Sequence, residues 1–137
     1  MVKPRLGSGQ MKLQLMLSSL LCLMLFGCSD KIDKSQVVGT YTISVRNASD
    51  VLQLESTGTY HHRYKGEDGR DIVATDSWQF ETVEGSPTVT LHNFKCTVNG
   101  VNALGEGYFL LKVTSRGGKC RLWVGVDKQI FFEQTAI

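Results

Sequence analysis

The sequence predicts an all-β protein, a small antiparallel up-and-down barrel of about eight strands behind an N-terminal signal segment. Three observations carry that reading. From Val37 onward, apolar and polar residues alternate with a period of two, the mark of strands with one buried face. Clusters of Gly, Asn, Asp and Ser interrupt the alternation at short, regular intervals and supply turns. No stretch beyond that point sustains a helical period for more than a turn.

Taken in order, "VVGTYTISV" sets Val37, Gly39, Tyr41, Ile43 and Val45 on one face and Val38, Thr40, Thr42 and Ser44 on the other. "RNASD" is a turn, and "VLQLES" then aligns Leu52 with Leu54. After Gly58, "TGTYHHRYK" places Tyr60, His62 and Tyr64 together. "GEDGRD" is a loop, and "ATDSWQFET" aligns Trp78 with Phe80. "TVTLHNFKCTV" reads as one strand carrying Val89 and Leu91, then Cys96 and Val98, with "GVNALGEG" as the loop after it. "YFLLKVTS" aligns Phe109, Leu111 and Val113. "KCRLWVGV" aligns Cys120, Leu122 and Val124 and turns Arg121 and Trp123 outward, and "QIFFEQ" ends the series. Consecutive strands joined by tight turns favour a meander, and closure into a barrel removes exposed edges. A barrel of this size is either filled by its side chains or holds one small ligand.

The chain of 137 residues begins differently. An apolar run from Leu13 to Phe26 follows Met11-Lys12, and polar sequence starts at once after Cys28. The run is shorter than the roughly 20 residues of a membrane span, and its basic start and small residue before the break mark a secretory signal. Residues 1–10 are dispensable for export on this reading, and Met11 is an alternative start. Leu25-Phe26-Gly27-Cys28 resembles the lipobox of bacterial lipoproteins. That resemblance implies that Cys28 is joined to a diacylglycerol, that cleavage falls just before it, and that its new amino group is acylated. Several acyl chains, at about 0.8 kcal/mol per buried methylene, hold a protein firmly on a membrane. Ser29 resembles residues that permit sorting to the outer membrane, so the expected location is the cell envelope, facing the periplasm or the cell surface. The expected organisation is a signal peptide over residues 1–27, the lipidated cysteine and a polar tether over 28–36, and the barrel over 37–137.

Removing residues 1–27 takes three of the fifteen Lys and Arg residues and none of the thirteen acids, leaving a formal net charge of −1. No basic stripe remains to suggest nucleic acid. Of four cysteines, Cys22 leaves with the signal and Cys28 carries lipid. Cys96 and Cys120 remain as an even pair in an oxidising compartment, and a disulfide between them is expected, worth roughly 3 kcal/mol by loop entropy.

"VVGTY", "LQLESTGTY", "DSWQFE", "VTLHNF" and "RLWVGVDKQIFFE" together resemble small envelope lipoproteins with a lipocalin-like barrel. Gly39-Thr40-Tyr41, Gly58-Thr59-Tyr60 and Asp127 ahead of Phe131-Phe132 fit their pattern, while Asp76-Ser77-Trp78 stands where those proteins have a glycine before the tryptophan. The resemblance spans roughly residues 37–134 and implies a fold, with no agreed activity.

Chemistry is sparse. His61 and His62 are adjacent, so a regular strand points them to opposite faces, and no ligand spacing supports a metal site. There is no Gly-x-Ser-x-Gly or Ser-x-x-Lys and no phosphate-binding glycine loop. No catalytic residue and no cofactor is expected. Two features suit binding. Tyr41, Tyr60, His62, Tyr64, Trp78 and Phe80 form an inward set that would suit a small apolar ligand. Arg121 and Trp123 form an outward pair of residue types enriched at protein interfaces. The expectation is a non-enzymatic, membrane-anchored binding protein for a small apolar ligand, with a protein-binding inhibitor or immunity-type role as the alternative.

Overall fold

The computed structural model describes residues 31–45, 48–98, 101–103, 107–127 and 129–135. Residues 1–27, expected as a signal peptide, and Cys28 lie outside the described residues. A helical turn, α1 (Lys34–Val37), precedes β1 (Gly39–Val45), β2 (Ala48–Leu54), β3 (Thr59–Lys65), β4 (Asp71–Val83), β5 (Ser86–His92), β6 (Cys96–Val98), β7 (Val101–Ala103), β8 (Tyr108–Arg116), β9 (Lys119–Gly125) and β10 (Ile130–Gln134). Eight of these strands close into an antiparallel barrel in the order β1-β10-β9-β8-β5-β4-β3-β2, and β6 and β7 form a separate two-stranded sheet. The expected all-β meander is therefore the observed fold.

One expected strand is in fact two. "TVTLHNFKCTV" does not run through: β5 stops at His92, and Asn93 takes a left-handed φ of +50°. Its backbone N–H donates to the Gly107 carbonyl at 2.8 Å, and its side-chain amide donates to Asp76 Oδ2 at 2.9 Å. The described residues 94–98 and 101–103 thus lie outside the wall, beyond a clasp between Asn93 and Gly107. The β6–β7 hairpin occupies part of the stretch expected to be loop, with Thr97 paired to Asn102.

The two ends of the barrel differ. The lower end carries the tight β4–β5 and β8–β9 hairpins, the start of β1 and the end of β10. Gly117 and Gly118, at φ +59° and +76°, make the two-residue turn whose twist matches the flanking strands. α1 lies across this end. The Gln36 side chain accepts from the Asp33 N–H at 2.8 Å, and Val37 is fully buried. The Tyr41 hydroxyl donates to the Val37 carbonyl at 2.6 Å. Gln134 Nε2 donates to the carbonyls of Gln36 and Val38, each at 3.1 Å, while its Oε1 accepts from the Cys120 N–H at 2.9 Å. Gly39, at φ +146°, lets this amide approach, since a Cβ there would stand 2.9 Å from Gln134 Nε2. The Gly-x-Tyr element of β1 therefore has a physical role: the glycine admits Gln134, and the tyrosine ties the helical turn to the barrel.

Inside, the period-two reading holds along most strands, while β5 buries Thr88, Val89, Thr90 and Leu91 in a row. Tyr41, Leu52, Leu54, Leu111, Leu122 and Phe132 are all sealed from solvent. Complete burial of an apolar side chain contributes roughly 1.5–3 kcal/mol, so this layer supplies much of the driving force. The buried core residues among those described fall between Val37 and Phe132, with Ile32 packed against them, and Ile32–Ile137 forms a compact unit by itself.

The expected disulfide is not formed. Cys120 is a free, buried thiol that donates to the Gln36 carbonyl at 3.4 Å at the lower end. The Cys96 backbone lies four residues beyond His92, which marks the upper end. Cys120 pairs with Ser115, seven residues and about 23 Å along β8 from Tyr108. Four extended residues reach about 13 Å, and bridged cysteines need Cα atoms within about 7 Å.

Candidate functional site

The inward-facing residues grade from sealed to open along the barrel axis. At the lower end and the middle most of them are buried, with Phe80 on the lower half of β4 half-buried. Toward the upper end, Tyr64, Ile72, Ala74, Phe109, Val124 and Ile130 point inward yet keep partial exposure. Register gives the inward direction on β3, β4 and β8, where Tyr64 stands opposite Ile72, His62 opposite Ala74 and Phe109 opposite Leu91, and Ile130, beside a bulge in β10, packs against the core. The upper end is thus a mouth walled by apolar and aromatic side chains.

Its floor is aromatic and polar at once. Phe94, buried although it belongs to no strand, turns back into the barrel from the residue after the Asn93 clasp. Its ring stacks on Phe109 with centroids 5.3 Å apart, meets His62 at 4.6 Å and meets Tyr60 edge-on at 5.9 Å. Phe132 closes the far side of His62 at 6.4 Å. Beneath these rings His62 Nε2 lies 2.7 Å from Asp50 Oδ1, and both residues are almost completely buried. The second ring nitrogen of His62, Nδ1, is buried and has no hydrogen-bond partner among the described residues.

The rim is polar. Asp76 accepts from Asn93 Nδ2 and from the Ser77 backbone N–H, and those bonds hold its carboxyl below the usual range. Tyr60 donates its hydroxyl to the His92 carbonyl at 2.7 Å. Burial, with the nearby Asp76 charge second, pushes its phenol up to about 12. His92 itself packs edge-on against Tyr108 at 4.6 Å.

Of the inward set expected to line a ligand site, the structure divides the members. His62 and Tyr64 belong to the mouth, and Tyr60 stands at its floor. Tyr41 and Trp78 belong to the sealed end, where Trp78 Nε1 donates to the Glu55 carbonyl at 2.9 Å and Lys34 Nζ lies 5.1 Å over its ring. Both side chains are buried at the closed end of the barrel. Phe80, half-buried on the same lower half of β4, packs against the core from that side. Sequence reasoning missed Phe94 and Asp50. The signal for Phe94 was the polar Asn93 standing where alternation demanded an inward apolar residue. Asp50 shares the inward parity of Leu52 and Leu54, and that parity was its signal.

The outward pair lies where period two put it. Trp123 is half-buried on the outer face, donates Nε1–H to Thr114 Oγ1 at 2.9 Å, and packs on Phe131 with centroids 4.8 Å apart. The Arg121 guanidinium lies 4.5 Å over the same Phe131 ring and donates to Glu133 Oε1 at 2.6 Å and 3.0 Å. That pairing holds the Glu133 carboxyl below its ordinary range. His61, on the outer face, contacts Glu55 and Thr75, away from His62 as adjacent strand residues must be. Among the described residues no three His, Cys, Asp or Glu side chains gather in a metal-ligating group. Compared with protein-family models, with curated proteins and with solved structures, the chain matches none of them.

Proposed function

We propose that this protein is a lipid-anchored, non-enzymatic binding protein of the bacterial envelope that takes a small apolar ligand into the upper mouth of its barrel. The carrying observation is the burial gradient: one end is tied shut by α1, Tyr41 and Gln134, while inward apolar side chains at the other end keep partial access to solvent. Apolar walls with a few placed polar atoms suit a small ligand. The anchor rests on the lipobox resemblance at Cys28 and on the signal-like run before it. The test is native mass spectrometry of residues 29–137 purified from a bacterial periplasm, followed by titration with an apolar dye, 1-anilinonaphthalene-8-sulfonate. A reproducible excess mass lost on denaturation, or saturable dye binding abolished by Tyr64→Arg at the mouth, supports the reading. A bare mass together with no saturable dye binding overturns it.

A second reading is favoured by the outer face. Trp123, Phe131 and Arg121 form a platform whose members are already held by Thr114 and Glu133, so little side-chain entropy is lost on docking. Leu110, one outward step along β8 from Lys112, the partner of Trp123, is 51% exposed. A protein partner captured by the wild type and lost with Trp123→Ala, while the fold persists, would move the function to this face.

A further inference from the structure

We infer that the mouth selects a planar aromatic ligand bearing a hydroxyl, whose ring replaces that of Phe94 and whose hydroxyl bonds to Nδ1 of His62. This inference rests on the proposed ligand-binding mouth and names the ligand's chemistry.

Four aromatic rings surround His62 and its neighbours: Tyr60 on β3, Phe109 on β8, Phe132 on β10 and Phe94. Three of them are carried by paired strands of the wall: Tyr60 is paired on both sides, Phe109 opposite Leu91 and Phe132 opposite Leu122. Phe94 alone is carried by a segment outside the barrel wall, one residue beyond a left-handed Asn93. It is the one ring that can leave without opening a strand ladder. The space it vacates is flat, because Phe94 stacks on Phe109 at an interplanar angle of 24°. A planar ring from outside recovers the same stacking and edge contacts that Phe94 makes.

The polar requirement comes from His62. Its Nε2 is engaged by Asp50 Oδ1 at 2.7 Å, which directs the proton on that nitrogen toward the carboxylate. Nδ1 is buried and unpartnered among the described residues. A buried polar atom without a partner carries the cost of desolvation until a ligand supplies one. A neutral imidazole presents Nδ1 as an acceptor, and a protonated one presents it as a donor. A hydroxyl serves both states, donating to the bare nitrogen or accepting from N–H. A carbonyl serves only the protonated state and an ammonium only the neutral one. The site therefore favours an aromatic alcohol over an unsubstituted ring of the same shape.

The experiment uses 2-naphthol and naphthalene as probes, titrated calorimetrically into residues 29–137. The expected result is about tenfold tighter binding of 2-naphthol, the discrimination that one recovered buried hydrogen bond supplies. In protein labelled with ¹⁵N-histidine, 2-naphthol should shift the Nδ1 resonance of His62 while naphthalene leaves it in place. Phe94→Leu, which keeps an apolar side chain but gives up the ring, should tighten both probes severalfold. His62→Gln, which keeps a donor for Asp50, should bring the ratio of the two affinities close to one. Equal binding of both probes with no shift at His62 overturns the hydroxyl anchor and leaves the apolar mouth standing. Probe affinities unchanged by Phe94→Leu place the ring elsewhere and overturn the exchange. Binding of neither probe overturns the inference and the proposed function together.

Discussion

His62 Nε2 sits 2.7 Å from Asp50 Oδ1 across adjoining strands, and neither side chain reaches solvent. Breaking such a pair from one side leaves a buried charge or dipole uncompensated. His62→Leu should therefore cost about 3–5 kcal/mol in urea denaturation, whereas changing both residues to apolar ones of similar volume should cost distinctly less. Additive costs in that double-mutant cycle would mean that the two groups do not act as a pair.

The contact between Gly39 and Gln134 predicts a second coupling. Gly39→Ala forces a Cβ to within 2.9 Å of Gln134 Nε2 at a φ of +146°, and should lower stability by about 2 kcal/mol. Gln134→Ala removes an amide that serves Gln36, Val38 and Cys120, and should cost about as much. In the double variant the steric part of the alanine cost disappears, so the combined loss should fall short of the sum by thermal melting.

Cys120 should behave as an inert thiol. Burial pushes it up from its ordinary value, and the thiolate is the reactive form. Alkylating reagents should leave it unmodified in the native protein and label it in denaturant. The melting temperature should be the same with and without reductant. A fall in melting temperature on reduction would restore a disulfide to this barrel.

Alkaline pH should destabilise the fold. Burial first, and Cys120 second, raise the Tyr41 phenol far above its ordinary 10.0, and Tyr60 is pushed up to about 12. Between the ordinary and the raised values the unfolded chain releases protons that the folded chain keeps. The unfolded state then binds fewer protons, so stability falls as pH rises, from about pH 9 upward and through pH 12. Urea midpoints measured from pH 8 to 12 should decline over that window. Tyr41→Phe should flatten part of the decline while lowering stability at neutral pH through the lost bond to Val37.

Much of this architecture was legible because strand parity is a local property. Leu122 and Val124 against Arg121 and Trp123 could be separated by counting, and register confirms the separation. Parity is silent on depth along the barrel axis. It placed Tyr41, Trp78 and His62 on one face but could not say that α1 seals the first two and leaves the third beneath the mouth. That depends on where Lys34–Val37 docks, which is a tertiary matter. The slip at Asn93 was visible in principle: Val89 and Leu91 keep odd parity, whereas Cys96 and Val98 keep even parity. The read-through of that stretch as one strand also hid the clasp that delivers Phe94. The disulfide expectation failed for a similar reason, since pairing two leftover cysteines takes no account of which end of the barrel each one occupies.

The barrel closes by pairing its first strand with its last, Tyr41 opposite Gln134, and Thr135 adds a backbone bond to Thr40 at 2.8 Å. That seam joins residues more than ninety positions apart, so it is the contact with the greatest sequence separation in the wall and the slowest to find. Until β10 has been synthesised and docked, β1 and β9 remain as open edges and the helical turn has no Gln134 to hold it. The nascent chain therefore keeps an unsealed wall and an unheld helical turn until β10 has emerged and docked against β1.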